Sequence, residues 1–475
     1  MKTINLVGGW VRTRAPHLIG ENNFYKLQNY ISRNNSIKKV GGTQAYNTSL
    51  GSFGIPFVLK SYHILANGEI AKRTHCYYDG TLYHGDDVAG TLTPTNITNL
   101  TRNVIPRTFI MQEADNSIVY LLTGKDRPKK YDGNGSYTWE EAGGDLATTY
   151  DYEDGVIHLD RAWYVKHQSS QLDYSEALYP QTLADSIIIG QDKDSYNVRV
   201  VVGADESLYV FKNNSIYRLY GRTASQFQLR LVTNKYGLAC KGGLYPVGNG
   251  FMFLNSYDKE LYWFGGSESS ITPMTEADIR LREIIDHTPQ ALENVTMTVY
   301  DGLFRMAFQH KESPIDSNNC ELVYSINEPN ERGLPKWSLI NGSNVWSYSV
   351  WNKYGDNQLV TGRSDLGKLM YHNRGLNWDT NTNTIETIAR TNEVVMSEGE
   401  VMRIGDIFIR SHPGSYNTKS LFRYYLNGRN SDRGEADLSL QGETRTLGLV
   451  HLQTQELLND RIIPLSEYSL GNSIA

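Results

Sequence analysis

Short runs of aromatic and branched residues, bounded by Asn, Asp and Gly, recur along most of this chain. The pattern is densest between Gly203 and Asp286. There Leu208-Tyr209-Val210-Phe211 and Ile216-Tyr217-Arg218-Leu219-Tyr220 flank the polar Lys212-Asn213-Asn214. A second doublet, Phe251-Met252-Phe253-Leu254 and Leu261-Tyr262-Trp263-Phe264, flanks Tyr257-Asp258-Lys259. Asn, Asp and Gly accept the positive φ that tight turns need, so each doublet predicts a pair of antiparallel strands. Asp301-Gly302, between Met297-Thr298-Val299-Tyr300 and Leu303-Phe304-Arg305-Met306, predicts a two-residue type I′ hairpin.

Doublets begin near Cys76, Ile118, Val156, Leu208, Phe251, Thr296 and Asn357, at intervals of 42, 38, 52, 43, 45 and 61 residues. A spacing near 45 residues holding three or four short strands is what a β-propeller blade requires. Closing a ring also hides the edges of many short strands that few helices could cover. The expected fold is therefore all-β, a propeller of six to seven blades over residues 46–385, with an N-terminal arm at 1–45. The loose period leaves a pair of β-sandwiches open as the alternative. After Thr391 the alternation in Met402–Arg410, Leu421–Leu426 and Leu438–Leu440 predicts an antiparallel, sandwich-like module at 386–475, bounded by the Asn-rich stretch Asn377 to Thr384.

Helical signals are few. Thr275-Glu276-Ala277-Asp278 resembles a capping box ahead of Leu281, Ile284 and Ile285, so a helix is expected over Thr275 to His287. Phe24, Leu27 and Ile31 share a face in a short amphipathic helix or turn near the start.

Composition agrees with a folded β protein: 32 Tyr, 42 Gly, 14 Pro and 21% charged residues are too aromatic and too lightly charged for disorder. The N-terminus lacks the apolar stretch of a secretory leader, and no apolar run approaches the ~18 residues that cross a bilayer. Synthesis in a cytoplasm and no membrane insertion are expected. Cys76, Cys240 and Cys320 are odd in number and far apart, which predicts buried thiols. The formal charge of −6 is uneven, with seven cations against Glu21 alone giving +6 in the first 45 residues and −12 in the remainder. A basic arm on an acidic body can dock on a neighbouring copy or touch a polyanion, and the spread of these cations among apolar residues favours docking.

The search for chemistry returns no catalytic, cofactor-binding or metal-binding residues. His75, His84, His158 and His167 lie in or beside strands and have no spacing that pairs two ligands on a helix. Gly362 to Lys368 has the spacing of a phosphate loop, but Leu369 replaces the metal-binding hydroxyl, so a hairpin turn is expected. Asp132-Gly133-Asn134-Gly135-Ser136-Tyr137-Thr138-Trp139 approaches the Asp-box of sialidase-like propellers. It is stretched and single, and reads as a turn anchored by Trp139. Asp192-Lys193-Asp194 and Asp316 to Cys320-Glu321 lack the pattern of a calcium loop and read as solvated acidic loops.

In this order, these segments resemble the tail hub or nozzle proteins of short-tailed bacteriophages, which include the packaged-DNA stabilisation proteins. The resemblance begins in Gly8-Gly9-Trp10-Val11-Arg12-Thr13-Arg14-Ala15-Pro16-His17-Leu18-Ile19 and Ile37-Lys38-Lys39-Val40-Gly41-Gly42. It continues through Gly203 to Gly221, Lys235-Tyr236-Gly237-Leu238-Ala239-Cys240, Leu261–Gly266 and Ile279 to Ile285. Leu322-Val323-Tyr324, Pro335-Lys336-Trp337-Ser338 and Val360 to Leu369 complete it, over roughly residues 5 to 375. The closing strands expected after Arg461-Ile462-Ile463 are missing or altered.

The resemblance implies a structural virion protein and not an enzyme. It implies a homo-oligomeric ring, typically of six subunits, in the tail below the portal and adaptor proteins. Tail fibre, tailspike or needle proteins would lie around or beneath it, and double-stranded DNA would be retained and then pass without base reading. An acidic or neutral lumen would let that DNA slide, since each Lys or Arg on a phosphate adds salt-dependent adhesion. Tyr209, Tyr217, Tyr262, Trp263 and Phe264 are then expected in blade packing and subunit contact. A propeller glycosidase or depolymerase, with carboxylates meeting across one face, and a carbohydrate-binding adhesin with exposed Tyr and Trp remain the alternatives.

Overall fold

The computed structural model describes residues 9–12, 23–33, 36–47, 50–51, 57–58, 62–66, 69–85, 90–102, 104–113, 116–133, 137–190, 196–313, 317–330, 333–353, 356–363, 367–372, 385, 388–391, 418–425 and 433–440. The chain divides into two compact units, 1–392 and 393–475.

The first unit carries seven blade sheets in chain order, one for each predicted doublet, and a two-stranded sheet of Tyr30–Arg33 and Ser36–Lys39. Blade I is formed by Phe57–Val58, Glu69–Tyr78, Thr81–Gly85 and Leu92–Pro94, with Tyr62–Ala66 also pairing on Glu69–Tyr78. The next four blades are continuous four-stranded meanders. Blade II runs Arg107–Glu113, Asn116–Leu122, Lys129–Tyr131 and Glu140–Glu141; blade III runs Tyr152–His158, Arg161–Lys166, Gln171–Glu176 and Tyr179–Ile188. Blade IV comprises Asn197–Val202, Leu208–Lys212, Ile216–Tyr220 and Gln228–Thr233, and blade V Leu244–Val247, Gly250–Leu254, Leu261–Phe264 and Thr272–Pro273. Blade VI holds Thr296–Tyr300, Leu303–Phe308, Cys320–Ser325 and Ser338–Asn341, and blade VII holds Val345–Lys353, Asp356–Arg363 and Lys368–Tyr371.

First strands pack beside one another between blades II and III, III and IV, V and VI, and VI and VII, and that of blade VII lies beside that of blade I, so the ring closes. The first strands of blades II to VII begin at residues 107, 152, 197, 244, 296 and 345, at steps of 45, 45, 47, 52 and 49. The looser sequence period has a simple cause. Val156 and Thr296 belong to first strands, whereas Cys76, Ile118, Leu208, Phe251 and Asn357 belong to second strands.

Turn chemistry fixes the hairpins. Asp301 and Gly302 have φ of 51° and 69°, and Asp79 and Gly80 have 48° and 80°, the paired positive values of a type I′ turn. Tyr300 accordingly faces Leu303, and Tyr78 faces Thr81. Gly362 and Arg363 pair antiparallel with Leu369 and Lys368, and the turn expected between them lies outside the described residues.

Both ends of the unit help to close the ring. Gln44–Ala45 supplies the fourth strand of blade VII, pairing with Met370 and Tyr371. Asn47 Oδ1 accepts the Leu369 amide at 2.8 Å in a buried site. Blade VI is widened by Phe24–Gln28, parallel to Ser338–Asn341, and then by Ile388–Thr391. The segment expected as an arm is thus woven into two blades from Phe24 onward, and Arg12 and Arg33 pair within the chain, with Glu283 and Asp301 at 2.6 Å each.

Two helix expectations fail. Phe24, Leu27 and Ile31 are all buried, but they lie in the strands Phe24–Gln28 and Tyr30–Arg33. A bulge between Phe24 and Lys26 and the left-handed Asn29, at φ 59°, break the two-residue alternation and imitate helical spacing. Thr275 does not cap a helix, because its hydroxyl donates to Glu260 Oε2 at 2.6 Å. Ile279, Leu281, Ile284 and Ile285 are buried along an irregular segment with a 3-10 turn at Leu281–Glu283 and Arg280 at φ 50°. The α-helix follows at Pro289–Glu293, where Thr288 Oγ1 accepts the Ala291 amide and Pro289 takes the first position.

Apolar clusters fill the seams between blades. Tyr77, Leu82, Leu121 and Trp139 join I to II; Phe109, Tyr120, Tyr152 and Tyr164 join II to III. Trp163, Leu172, Val200, Leu208 and Val210 join III to IV, and Tyr209, Phe211, Phe251 and Phe264 join IV to V. Met252, Leu261, Phe304 and Met306 join V to VI, while Tyr46, Cys76, Trp351 and Val360 join VII to I. The seam between VI and VII is different, and is described below.

In the second unit Thr418–Tyr425 and Arg433–Leu440 form an antiparallel hairpin whose last pair is Tyr425 and Arg433. The other strands expected after Thr391, and the Asn-rich boundary, lie outside the described residues. Among the described residues no helix is long and apolar enough to cross a membrane.

Candidate functional site

Buried charge collects in two places. The first is at one mouth of the propeller axis. The first strands all run the same way, so their opening residues share that mouth, and four blades contribute to it. Glu153, on the first strand of blade III, is buried between His167 Nδ1 at 2.6 Å and Lys241 Nζ at 2.7 Å. Its neighbour Asp154, also buried, accepts Arg199 Nε at 3.2 Å and the Val200 amide at 3.1 Å. Arg199 Nη1 donates in turn to the carbonyls of Lys241 and Leu244, at 3.2 and 3.0 Å.

Arg107 opens the first strand of blade II and faces the same cluster. Burial and the like charge of Arg199 push its guanidinium down to about 10, against the opposing pull of Asp154. Its Nε is buried with no hydrogen-bond partner among the described residues. The arrangement can hold an anion. Both of its carboxylates are engaged by basic side chains.

The second place is the seam between blades VI and VII. Arg305 Nη1 donates to Glu321 Oε2 at 3.2 Å and to His372 Nε2 at 2.9 Å, and Tyr348 Oη donates to the same Glu321 oxygen at 2.7 Å. Arg305, Glu321 and His372 are buried. A guanidinium has only donors, so His372 Nε2 is an acceptor and the imidazole is neutral. Burial pushes the His372 pKa down to about 4, with Arg305 adding to the effect and Glu321 opposing it. Burial opposes ionisation of Glu321 as well, but the charge of Arg305 and the Tyr348 hydrogen bond outweigh it and hold the carboxyl below its ordinary range.

The residues singled out in the sequence are mostly scattered. His75 is buried edge-on to Tyr131 and Trp139, with ring centres 4.9 and 5.2 Å away, and His84 stacks on Tyr137 at 3.8 Å. His158 ends the first strand of blade III, its pKa lowered by burial. His167 alone of the four joins a charged cluster among the described residues, as a partner of Glu153. Trp139 is buried as expected, but Asn96 brackets it, accepting its amide at 2.9 Å and donating to its carbonyl at 2.7 Å.

Cys320 and Glu321 correct an expectation: they are buried in the strand Cys320–Ser325 and not in a solvated loop. Apolar residues on one face of that strand hold it in the sheet and carry the carboxylate inward. Asp192 to Asp194 and Asp316 lie outside the described residues. All three cysteines are free and buried, and burial pushes the Cys240 and Cys320 thiols up to about 12. Tyr209, Tyr262 and Phe264 pack in the seam between blades IV and V, where Tyr209 Oη donates to Asp205 at 2.9 Å and Tyr262 Oη to Asp258 at 2.6 Å. Tyr217 and Trp263 are half-buried, with Trp263 Nε1 donating to the Val247 carbonyl at 3.3 Å.

Sequence reading missed both clusters. One signal was present: Arg305 interrupts the apolar run Leu303-Phe304-Arg305-Met306-Ala307-Phe308, and a charge inside a buried strand requires a partner. The axial group had no such mark, because Glu153, His167, Arg199 and Lys241 meet only once the ring has closed.

The seven sheets and their closure make this a seven-bladed β-propeller with few helices. No protein-family model matches the chain, and no curated protein matches it. Among solved structures it is similar to a streptogramin B lyase at 13% identity, covering 70% of this chain and 96% of the other with a TM-score of 0.44. It is also similar to virginiamycin B lyase from Staphylococcus aureus, at 12% identity, 69% and 97% coverage and a TM-score of 0.43. Raptor from Chaetomium thermophilum aligns at 8% identity over 74% of this chain and 30% of its own, with a TM-score of 0.44. Likeness at this level carries no chemistry from those proteins to this one.

Proposed function

We propose that the protein is a structural subunit of a short-tailed bacteriophage tail, a hub or nozzle whose copies form a ring extending the portal–adaptor channel. In this reading the ring, of six copies by the resemblance, retains packaged DNA and conducts it during ejection. The observation that carries the proposal is apolar exposure on the outer strands of adjacent blades. Tyr179 and Ile188, at the two ends of the blade III edge strand, are 67% and 74% exposed, and Leu231 on the blade IV edge strand is 51% exposed. An edge strand with bare apolar residues is a liability in a monomer and a contact in an assembly.

A cyclic ring needs a heterologous contact, one patch meeting a different patch on the next copy. The edges of blades III and IV supply one side of it. A propeller tied at both ends gives the stiff body that a conduit under pressure needs. The first strands of neighbouring blades crowd the propeller's own axis, so the duplex passes through the lumen between copies.

Electron microscopy of the full-length protein, alone and mixed with its adaptor ring, tests the reading. Ring-shaped particles with an axial hole are expected. Single copies that persist with the adaptor present would overturn it, and cleavage of host polysaccharide by those copies would favour a depolymerase.

A further inference from the structure

The two buried carboxylates at the axial mouth are each engaged by other groups. Glu153 is shared by Lys241 and His167, and Asp154 is taken by Arg199 and the Val200 amide. That leaves Arg107 without an ion-pair partner among the described residues. Among the described residues no carboxylate contacts its guanidinium and no hydrogen bond engages it, while Nε is shut away from solvent. The residue as a whole is only partly buried.

A partly desolvated guanidinium beside a second one is costly to keep unpaired. Arg199 cannot relieve it and repels it. Asp154 cannot rotate toward it without giving up Arg199 and the Val200 amide. An anion bound at the accessible side of this mouth would give the guanidinium the partner that no described carboxylate supplies.

We propose that the axial mouth beside Arg107, Arg199 and Lys241 is a binding site for an oxyanion, with the Arg107 guanidinium as its principal donor. The planar fork presents two parallel N–H groups, which match two oxygens of a phosphate or a carboxylate and do not match a halide. Arg199 and Lys241 already bind carboxylates and carbonyls, so they supply charge around the site and not first contacts. The site lies within one copy and does not depend on ring assembly.

The test is titration of the full-length protein with inorganic phosphate, and separately with acetate, against chloride at matched ionic strength, read by ³¹P line broadening and by melting temperature. Saturable binding of phosphate or acetate is expected, and the stronger of the two identifies the natural ligand as a phosphoryl or a carboxylate group. Arg107→Met should weaken that binding about 10- to 100-fold, the loss of a charge-assisted pair of hydrogen bonds. Arg107→Lys keeps the charge but loses the fork, and should weaken it by an intermediate factor. Arg230→Met, on the blade IV edge strand, should leave it unchanged and controls for general charge. Equal behaviour in phosphate, acetate and chloride, or binding that survives Arg107→Met, would overturn the proposal. If Arg107→Met does not fold, the Arg107→Lys comparison decides.

Discussion

The seam between blades III and IV is filled by Trp163, Leu172, Val200, Leu208 and Val210, whereas the seam between VI and VII holds Arg305, Glu321, Tyr348 and His372. Both are buried, and they do the same job with opposite chemistry. Apolar packing is non-directional and gains about 25 cal/mol per Å² of surface removed from water. An ion network is directional, and taking its charges out of water offsets much of their attraction.

The difference follows the route of the chain. Blades II to V are each built from one continuous stretch, so their register is set by local turns. Blades VI and VII must accept strands from both ends of the unit, where no local turn sets register. We hypothesise that the polar seam specifies how those two blades meet where turn chemistry cannot. The motivating observation is that Arg305 and Glu321 of blade VI and Tyr348 of blade VII share one carboxylate oxygen. Replacing Arg305 and Glu321 together by Leu is the check: a stable fold with the native oligomer and sharp NMR lines would sink the idea.

The largest expected effect comes from breaking one side of that network. Glu321→Ala leaves Arg305 buried without its carboxylate, and should cost about 3–5 kcal/mol in equilibrium urea unfolding of the full chain. The Arg305→Leu, Glu321→Leu pair should cost clearly less than that single change, because no lone charge remains. A double variant as unstable as Glu321→Ala would erase the contrast between the seams.

Acid sharpens the contrast next. His372 has a folded pKa near 4, below the ~6.5 of an unfolded imidazole, so between those values the unfolded chain binds more protons. Stability therefore rises with pH across that window and is lost on acidification from about 6.5 to about 4, by roughly 3 kcal/mol. Glu321, whose pKa is also depressed, pushes in the same direction as pH falls further. His372→Gln should remove most of the slope between pH 6.5 and 4, measured as urea midpoint against pH.

A smaller effect is expected at the strand that completes blade VII. Asn47→Ala leaves the buried Leu369 amide without an acceptor and should cost about 1–3 kcal/mol, with faster hydrogen exchange at Leu369. Smallest is the Arg33–Asp301 pair at the surface, where Asp301 is largely exposed. Arg33→Ala should change stability by less than about 1 kcal/mol, and added salt should shrink the difference further.

The same contrast divides what could be read from the sequence. The doublets of blades IV and V were legible because aromatic runs and Asn, Asp and Gly turns lie within a few residues of one another. Gln44–Ala45 was not, since two polar or small residues carry no strand signal and their partners Met370 and Tyr371 lie across the whole ring. Phe24, Leu27 and Ile31 misled because a bulge and a left-handed Asn29 gave a strand the periodicity of a helix. Glu321 was read as part of an acidic loop because Asp316 precedes it, while Arg305, the residue that explains it, stood in another hairpin. Nothing local marked the axial charges, which come from four blades.

The central claim is that copies of this propeller assemble through an outer face that a single copy leaves bare. Mass measurement of the full-length protein by native mass spectrometry, alone and with its adaptor ring, tests it most directly when repeated on Ile188→Asp and Leu231→Asp. Wild-type protein should appear as a closed oligomer of about six copies, and either substitution should return it to a folded monomer. A monomeric wild type in both settings, or an oligomer indifferent to both substitutions, would contradict the account.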